Sequence, residues 1–473
     1  MNYYFLGIGG IGMSALARYF HRRGDSVSGY DRTPSPLTAE LENEGISIHY
    51  DDNPDLIPSS VDLVVYTPAV PSDTREFQAL QARGVRMEKR SQMLGELTRG
   101  KKCIAVAGSH GKTTTTTMIA HLLSKAECGC SAFLGGISKN FNSNLVVNNS
   151  SDYVVVEADE YDRSFLQLHP YISVITATDP DHLDVYGTHE HMLEAYLQFA
   201  NQTDPEGRLI LKNGIFRTLN GEEFVEYGHD HHHEEHSHPA TQTLSHPNIF
   251  TYTAHGIDAD YYAINVRNYN GNLFFDLRTP EGVLYDLELD GAPLVNVENA
   301  VAASAVALAC GVDQYQLRHG LKTFAGVCRR FDYRIREKEL IYIDDYAHHP
   351  QEIASTIEAV RFLYPGKRVV GIFQPHLYSR TRDLADEFAH VLQTLDEVIM
   401  LPIYPAREKP ILGVTSSMVL RKMDTMSKYL CTPDQTLELV PALSPDIVLT
   451  LGAGDIDRLV PRLETTLREQ ILN

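Results

Sequence analysis

Short apolar runs alternate with amphipathic stretches along most of the chain. Residues 3–7, 26–30 and 63–66 read as buried strands, with helical spacing over 13–23 and 76–83. That alternation predicts βαβ units on a parallel sheet. A polar segment at 98–102 ends the first region, and the apolar run 103–107 opens a second. There a helix is expected over 112–125, and strands over 153–157, 172–176 and 209–211. Residues 261–289 alternate apolar and polar positions, the pattern of hairpins at a sheet edge, and 299–310 form an Ala-rich helical stretch. The pattern breaks at 326–331, where a hinge is expected. It restarts with strands at 341–344, 369–373, 398–401 and 447–451, with helices between. The expectation is an α/β protein of three domains, 1–99, 100–325 and 326–473, without internal repeats.

Composition narrows the function more than the fold. A chain of 473 residues accommodates roughly two to four domains. With 43% hydrophobic and 22% charged residues it is neither disordered nor fibrous. The formal charge of −21 argues against a nucleic-acid or anionic-membrane binder, while leaving room for a local basic pocket. Six scattered cysteines form no CxxC pair, which predicts reduced thiols. The opening MNYYFLGIGG has no leader-like pattern, and the longest apolar stretch, near 300–310, is shorter than the ~20 residues of a membrane span. A soluble cytoplasmic protein without membrane insertion is expected. One segment, HDHHHEEHSH at 229–238, carries six histidines in ten residues and reads as a solvated loop insertion or a metal-binding tract.

Three motifs carry chemistry. Gly7, Gly9 and Gly12 give G-x-G-x-x-G between a strand and a helix, and Asp31 ends the next strand. This arrangement seats a diphosphate at a helix N-terminus. A nicotinamide dinucleotide, another nucleotide diphosphate and a packing turn all remain open at this point. Gly108-Ser109-His110-Gly111-Lys112-Thr113-Thr114 follows a strand and precedes a helix. Backbone N–H groups there would cradle a triphosphate, Lys112 would reach the outer phosphates and Thr113 would ligate magnesium. Val106 stands where the first glycine of the usual phosphate loop belongs. Glu157 ends the strand at 153–157 and His182 follows the strand at 172–176, so both fall at the ligand-binding ends of strands. They read either as magnesium ligands or as a capping acid and a turn histidine. In the third region DDYAHHP (344–350), QPHLYSRT (374–381) and GAGD (452–455) each follow a strand, so one face should gather them, with Arg330 and Arg380 as candidate anion clamps.

These segments together resemble the Mur ligases, ATP-dependent amino-acid ligases of peptidoglycan synthesis. The resemblance runs through GIGGIGMS (7–14), GSHGKTTT (108–115), EADE (157–160), DHLDVYG (181–187), NVENA (296–300), GVCRRF (326–331), DDYAHHP, FQPHLYSRT (373–381) and GAGDI (452–456), and covers essentially the whole chain. It implies a Rossmann-like N-terminal domain for the UDP part of the substrate, a central P-loop ATPase domain with a mostly parallel sheet, and a Rossmann-like C-terminal domain that closes over the nucleotide and brings the amino acid. Gly9, Gly10, Gly12, Met13, Ser14 and Asp31 would hold the UDP. Gly108 to Thr114, Asn299 on the adenine side and Arg330 would hold ATP. Thr113 and Glu157 would bind one magnesium and His182 a second. Tyr346, His348 and Arg380 would surround the amino acid. Lys112, Glu157, His182, Arg330 and His348 are the implied catalytic set.

The implied reaction joins L-alanine to the carboxylate of UDP-N-acetylmuramate through an acyl phosphate, with ATP and magnesium as cofactors, in a monomer or homodimer. Several Mur ligases carry a carbamylated lysine about fifteen residues beyond the position of His182. Here Tyr196-Leu197-Gln198-Phe199 has none, as in the alanine-adding branch. Leu377 stands where many alanine ligases have Arg, and Tyr161 is more like the ligase that recycles murein tripeptide. That recycling ligase is the alternative within the family. An NAD-dependent oxidoreductase, resting on the first glycine motif alone, is the alternative outside it.

Overall fold

The computed structural model describes residues 1–220, 243–406, 408–425 and 427–472, without the side chains of Leu183 and Asp184. The histidine-rich tract at 229–238 lies outside the described residues. The chain divides into two compact units: residues 1–266, 275–289 and 297–325 form the first, and residues 267–274, 290–296 and 326–473 the second.

The first unit opens with a five-stranded sheet of β1 (Asn2–Leu6), β2 (Ser26–Tyr30), β3 (Ser47–His49), β4 (Leu63–Tyr66) and β5 (Arg86–Lys89), in the order β3-β2-β1-β4-β5. Every pair is parallel. The strand order reverses between β1 and β4, where a parallel sheet opens its ligand crevice. The glycine motif leaves β1 at that point and starts α1 (Ile11–Arg22). Helices α2 (Pro36–Asn43), α3 (Arg75–Ala82) and α4 (Arg90–Thr98) complete this part. A Ser35 capping box and Pro36 start α2, satisfying two backbone donors that a helix start otherwise leaves unpaired.

The second sheet has ten strands: β6 (Lys102–Ala107), β7 (Ser131–Ser138), β8 (Ser143–Val146), β9 (Tyr153–Glu157), β10 (Pro170–Ile175), β11 (Arg208–Lys212), β12 (Ile249–Thr253), β13 (Tyr261–Tyr269), β14 (Asn272–Thr279) and β15 (Gly282–Leu289). The order is β15-β14-β13-β12-β11-β10-β6-β9-β7-β8. The alternating stretch 261–289 thus lies at a sheet edge. The central strands are buried on both faces, which is why 103–107 and 154–156 read as continuous apolar runs. Helix α5 (Lys112–Ser124) follows β6 and is buried along most of its length.

The second unit carries a six-stranded sheet of β16 (Asp332–Arg336), β17 (Ile341–Asp345), β18 (Val369–Phe373), β19 (Glu397–Met400), β20 (Lys428–Leu430) and β21 (Ile447–Leu451), ordered β16-β17-β21-β18-β19-β20. Only β16 runs antiparallel to its neighbour. Asp345, Leu451 and Phe373 are in register across β17, β21 and β18. Three polar loops therefore leave the sheet side by side. Among the described residues no helix is long and apolar enough to cross a membrane.

Candidate functional site

At the start of α1 the three fingerprint glycines meet different neighbours. Asp31 accepts hydrogen bonds from Gly9 N–H at 2.8 Å and from Thr33 N–H at 3.1 Å, so both its oxygens brace backbone. A Cβ on Gly9 would fall 2.7 Å from Thr38, and one on Gly12 would fall 2.8 Å from Arg90 Nη1. Gly10 is the N-cap and brings no side-chain cap to the helix. Met13 and Ser14 are buried. The Ser14 hydroxyl donates to Ile11 O at 2.9 Å and accepts from Asn144 Nδ2 at 2.8 Å. Both side chains are thus packed within the protein.

The phosphate-loop motif connects β6 to α5. Gly108 (φ 134°) and Gly111 (φ 81°) adopt backbone conformations that side chains disfavour, and Gly111 caps α5 in the left-handed region. A Cβ on Gly108 would strike the Thr176 hydroxyl, and one on Gly111 would lie 2.8 Å from Asn299 Oδ1. Asn299, on the helix Val295–Ala309, also accepts a hydrogen bond from Thr115 Oγ1 at 3.1 Å. Asn299 thus packs against the phosphate-loop turn. Ser109 N–H donates to Ala177 O at 3.1 Å, while Ser109 Oγ is buried without a hydrogen-bond partner. His110 is half exposed, with Nε2 3.9 Å from Asp179. Thr113 is buried and Thr114 partly so, both in the first turn of α5.

β9, β6 and β10 lie side by side, so the loops beyond them converge. Lys112 Nζ donates to Gly108 O at 2.6 Å and to Glu160 Oε1 at 2.7 Å. Glu160 is fully buried, and its second oxygen has no hydrogen-bond partner. Burial pushes its carboxyl above the ordinary value, outweighing the opposing pull of Lys112. His182 Nε2 lies 4.0 Å from Glu160 Oε1 and 3.7 Å from Asp181 Oδ2. The edge of Tyr161 meets the His182 ring with centroids 5.3 Å apart. The Tyr186 hydroxyl donates to Glu160 O at 2.5 Å, fixing the backbone behind the acid. Glu157 sits at the end of β9 with its carboxylate against Gly135 of β7, where a Cβ would collide with it.

Among the described residues, Glu160, Asp181 and His182 form the one group whose ligand atoms all lie within 4.8 Å of one another. Two carboxylates, one with an unsatisfied buried oxygen, suit a hard divalent cation. The group contains His182 but not Glu157, whose carboxylate lies against Gly135; its buried acid is instead Glu160, which belongs to the EADE motif but was not singled out. Its signal was the three-residue offset from Glu157 across the end of a buried strand.

In the second unit, Tyr346 follows β17. Its ring has the guanidinium carbons of Arg329 and Arg330 each 5.2 Å from its centroid. Asp345, just before it, accepts from Phe331 N–H at 3.3 Å, Ala347 N–H at 3.0 Å and Thr356 Oγ1 at 3.0 Å. Burial raises its carboxyl to about 6 against the pull of Arg330. His348 Nδ1 is 3.1 Å from Tyr346 O and 3.3 Å from Glu352. Burial, with Arg380 and Arg330 nearby, lowers its pKa. His376 lies with its ring centroid 6.1 Å from that of His348, and burial and Arg380 lower it to about 4. Arg380 Nη1 is buried without a hydrogen-bond partner, and its charge contributes to lowering both imidazoles. Leu377, which starts the helix Tyr378–Asp383, has φ 72°. Arg329, His376 and Glu352 complete this cluster and were not singled out from sequence.

Comparison with known proteins agrees in all three regions. Residues 2–102 match the catalytic domain of the Mur ligase family, 106–307 the Mur ligase middle domain and 329–454 the Mur ligase glutamate ligase domain. A UDP-N-acetylmuramate–L-alanine ligase of Parabacteroides distasonis is 47% identical, covering 99% of this chain and 97% of its own. One of Flavobacterium johnsoniae is 42% identical over 99% and 98%. The crystal structure of the UDP-N-acetylmuramate–alanine ligase MurC of Thermotoga maritima superimposes with a TM-score of 0.82 at 28% identity, covering 99% of each chain. A murein peptide ligase of Psychrobacter arcticus shares the fold with a TM-score of 0.68 at 21% identity, over 99% and 98% of the chains.

Proposed function

The chain belongs to the Mur ligase family, and from that premise we propose that it joins L-alanine to the carboxylate of UDP-N-acetylmuramate while ATP is cleaved to ADP and phosphate. The observation that carries the proposal is the phosphate-loop lysine paired with buried Glu160 beside His182, in a chain 47% identical to an alanine ligase.

A carboxylate and an ammonium ion do not condense at neutral pH, so the carboxylate must first gain a leaving group. One of its oxygens attacks the γ-phosphorus, ADP departs, and an acyl phosphate forms. The alanine amine then attacks the acyl carbon, phosphate leaves, and the amide remains. Phosphoryl transfer of this kind needs positioning and charge stabilisation more than covalent help from the protein. His110 to Thr114 supply backbone donors to the triphosphate, and Lys112 exchanges its Glu160 and Gly108 partners for phosphate oxygens. Glu160, Asp181 and His182 are the residues that would hold magnesium, and the resemblance adds Thr113 and Glu157. Bound there, magnesium neutralises triphosphate charge.

The second unit suits the amine. The unsatisfied Arg380 Nη1 is a ready donor for the alanine carboxylate. His348, held neutral by burial, can accept the proton that the alanine ammonium must lose before attack. ATP and a nucleotide sugar are cytoplasmic metabolites, which supports action in the cytoplasm. The test is phosphate release from ATP and UDP-N-acetylmuramate with no amine, with L-alanine, or with an L-Ala-D-Glu-containing tripeptide. Release that requires L-alanine is the expected result. Release only with tripeptide makes the chain a recycling ligase, and no release with either removes the ligase assignment.

A further inference from the structure

We propose that Arg90 is shared between Asp159 and the diphosphate of the sugar nucleotide, so that two anions compete for one guanidinium. This rests on the reading that the chain binds a UDP-sugar. Arg90 begins α4, immediately after β5. Its side chain lies along the first turn of α1, with Nη1 2.8 Å and Cδ 3.1 Å from the place a Cβ on Gly12 would occupy. The last glycine of the fingerprint is therefore needed to admit this arginine to the turn. That turn has no acidic residue, and Gly10 gives it no side-chain cap. On its other side Arg90 Nη2 donates to Asp159 Oδ2 at 3.0 Å. Asp159 is the third residue of EADE, next to the Glu160 that holds Lys112. One side chain thus touches both the sugar-nucleotide turn and the segment that lines the triphosphate loop.

The pair is built to exchange. Arg90 is 22% exposed and Asp159 40%, so water weakens their attraction. A diphosphate offers two charges and paired oxygens that match the guanidinium fork, where Asp159 offers one charge and a single close contact. The segment stays anchored when Arg90 moves, because neighbouring Lys89 Nζ holds Asp162 at 2.8 Å and Asp159 Oδ1 still accepts Tyr161 N–H. Asp162 (φ 52°) and Arg163 (φ 54°) are both left-handed, a conformation that persists only when such contacts fix it.

The competition fixes the sign of two substitutions. UDP and UDP-N-acetylmuramate are titrated calorimetrically into the full chain without ATP. Arg90→Ala is expected to weaken both by about ten- to a hundredfold. Asp159→Asn, close in shape to the native residue, is expected to tighten both by about two- to fivefold. In the double variant Asp159→Asn no longer tightens binding, since the guanidinium it freed is gone. If Asp159→Asn leaves affinity unchanged or lowers it while the native chain binds and turns over UDP-N-acetylmuramate, the competition is wrong and the ligase reading stands. If the native chain binds neither ligand, the ligase reading itself fails.

Discussion

Lys112 and Glu160 make one unit of opposite charge, and each residue limits what the other can do. Burial raises the Glu160 carboxyl and Lys112 pulls it back, while Oε1 lies 4.0 Å from His182 Nε2. Lys112→Ala is expected to reduce alanine-dependent phosphate release by at least about a thousandfold, because Lys112 is the one Lys or Arg on the loop. Glu160→Gln keeps the shape and removes the charge. It is expected to raise the magnesium concentration for half-maximal activity by about tenfold or more, read from a magnesium titration at saturating substrates. Arg380 is a different case, since its unsatisfied donor awaits an anion. Arg380→Ala is expected to raise the KM for L-alanine by about a hundredfold while the KM for ATP stays near the native value, as measured by initial rates.

At the scale of elements, α1 is fixed to the edge of the ten-stranded sheet by two buried polar side chains. Arg18, 2% exposed, pairs with Glu40 and Glu44 at 2.8 and 2.7 Å and donates to Asn144 Oδ1 at 2.6 Å. Asn144, on β8, returns its amide to Ile11 O and Ser14 Oγ. The helix that follows the glycine fingerprint is thereby fixed to the sheet that carries the GSHGKTT loop. Asn144→Ala leaves the buried Arg18 Nη1 without its acceptor, while Glu40 and Glu44 still hold the rest of the guanidinium, and is expected to cost about 1–3 kcal/mol of stability in urea titration. None of this was legible in the sequence, because Asn144 and Arg18 are 126 positions apart and follow no periodic pattern. Strands β3 and β5 also escaped the apolar pattern. They are short sheet edges with no fully buried residue, so selection for apolar side chains is weak there. The interior strands β1, β6, β9, β17, β18 and β21 were readable for the opposite reason: mostly buried, they consist of little but apolar residues. Site residues on those strand ends, such as Glu157 and Tyr346, could be placed from sequence. Arg90 and Glu160 were not, because their partners come from other loops and helices.

For the whole molecule, pH tests how the interior treats charge. His121 is buried on α5 against Phe141 and Phe324, and burial lowers it to about 4. A histidine whose folded pKa is depressed contributes stability that is fully present above the ordinary value of 6.5 and is lost as pH falls toward 4. At pH 5 this costs about 2 kcal/mol relative to pH 7.5. His121→Gln is therefore expected to narrow the drop in Tm between those two pH values, whatever it does to Tm at pH 7.5. His376 acts in the same direction in the second unit.

The central claim is that the sugar carboxylate is activated by phosphorylation before the amine attacks. Labelling both carboxylate oxygens of UDP-N-acetylmuramate with oxygen-18 and analysing the released phosphate by mass spectrometry tests it directly. With ATP and L-alanine, each phosphate should carry one labelled oxygen, and each UDP-N-acetylmuramoyl-L-alanine should retain the other. Phosphate released without label, in step with ADP but not with amide, would mean that ATP is hydrolysed by water and would contradict the account.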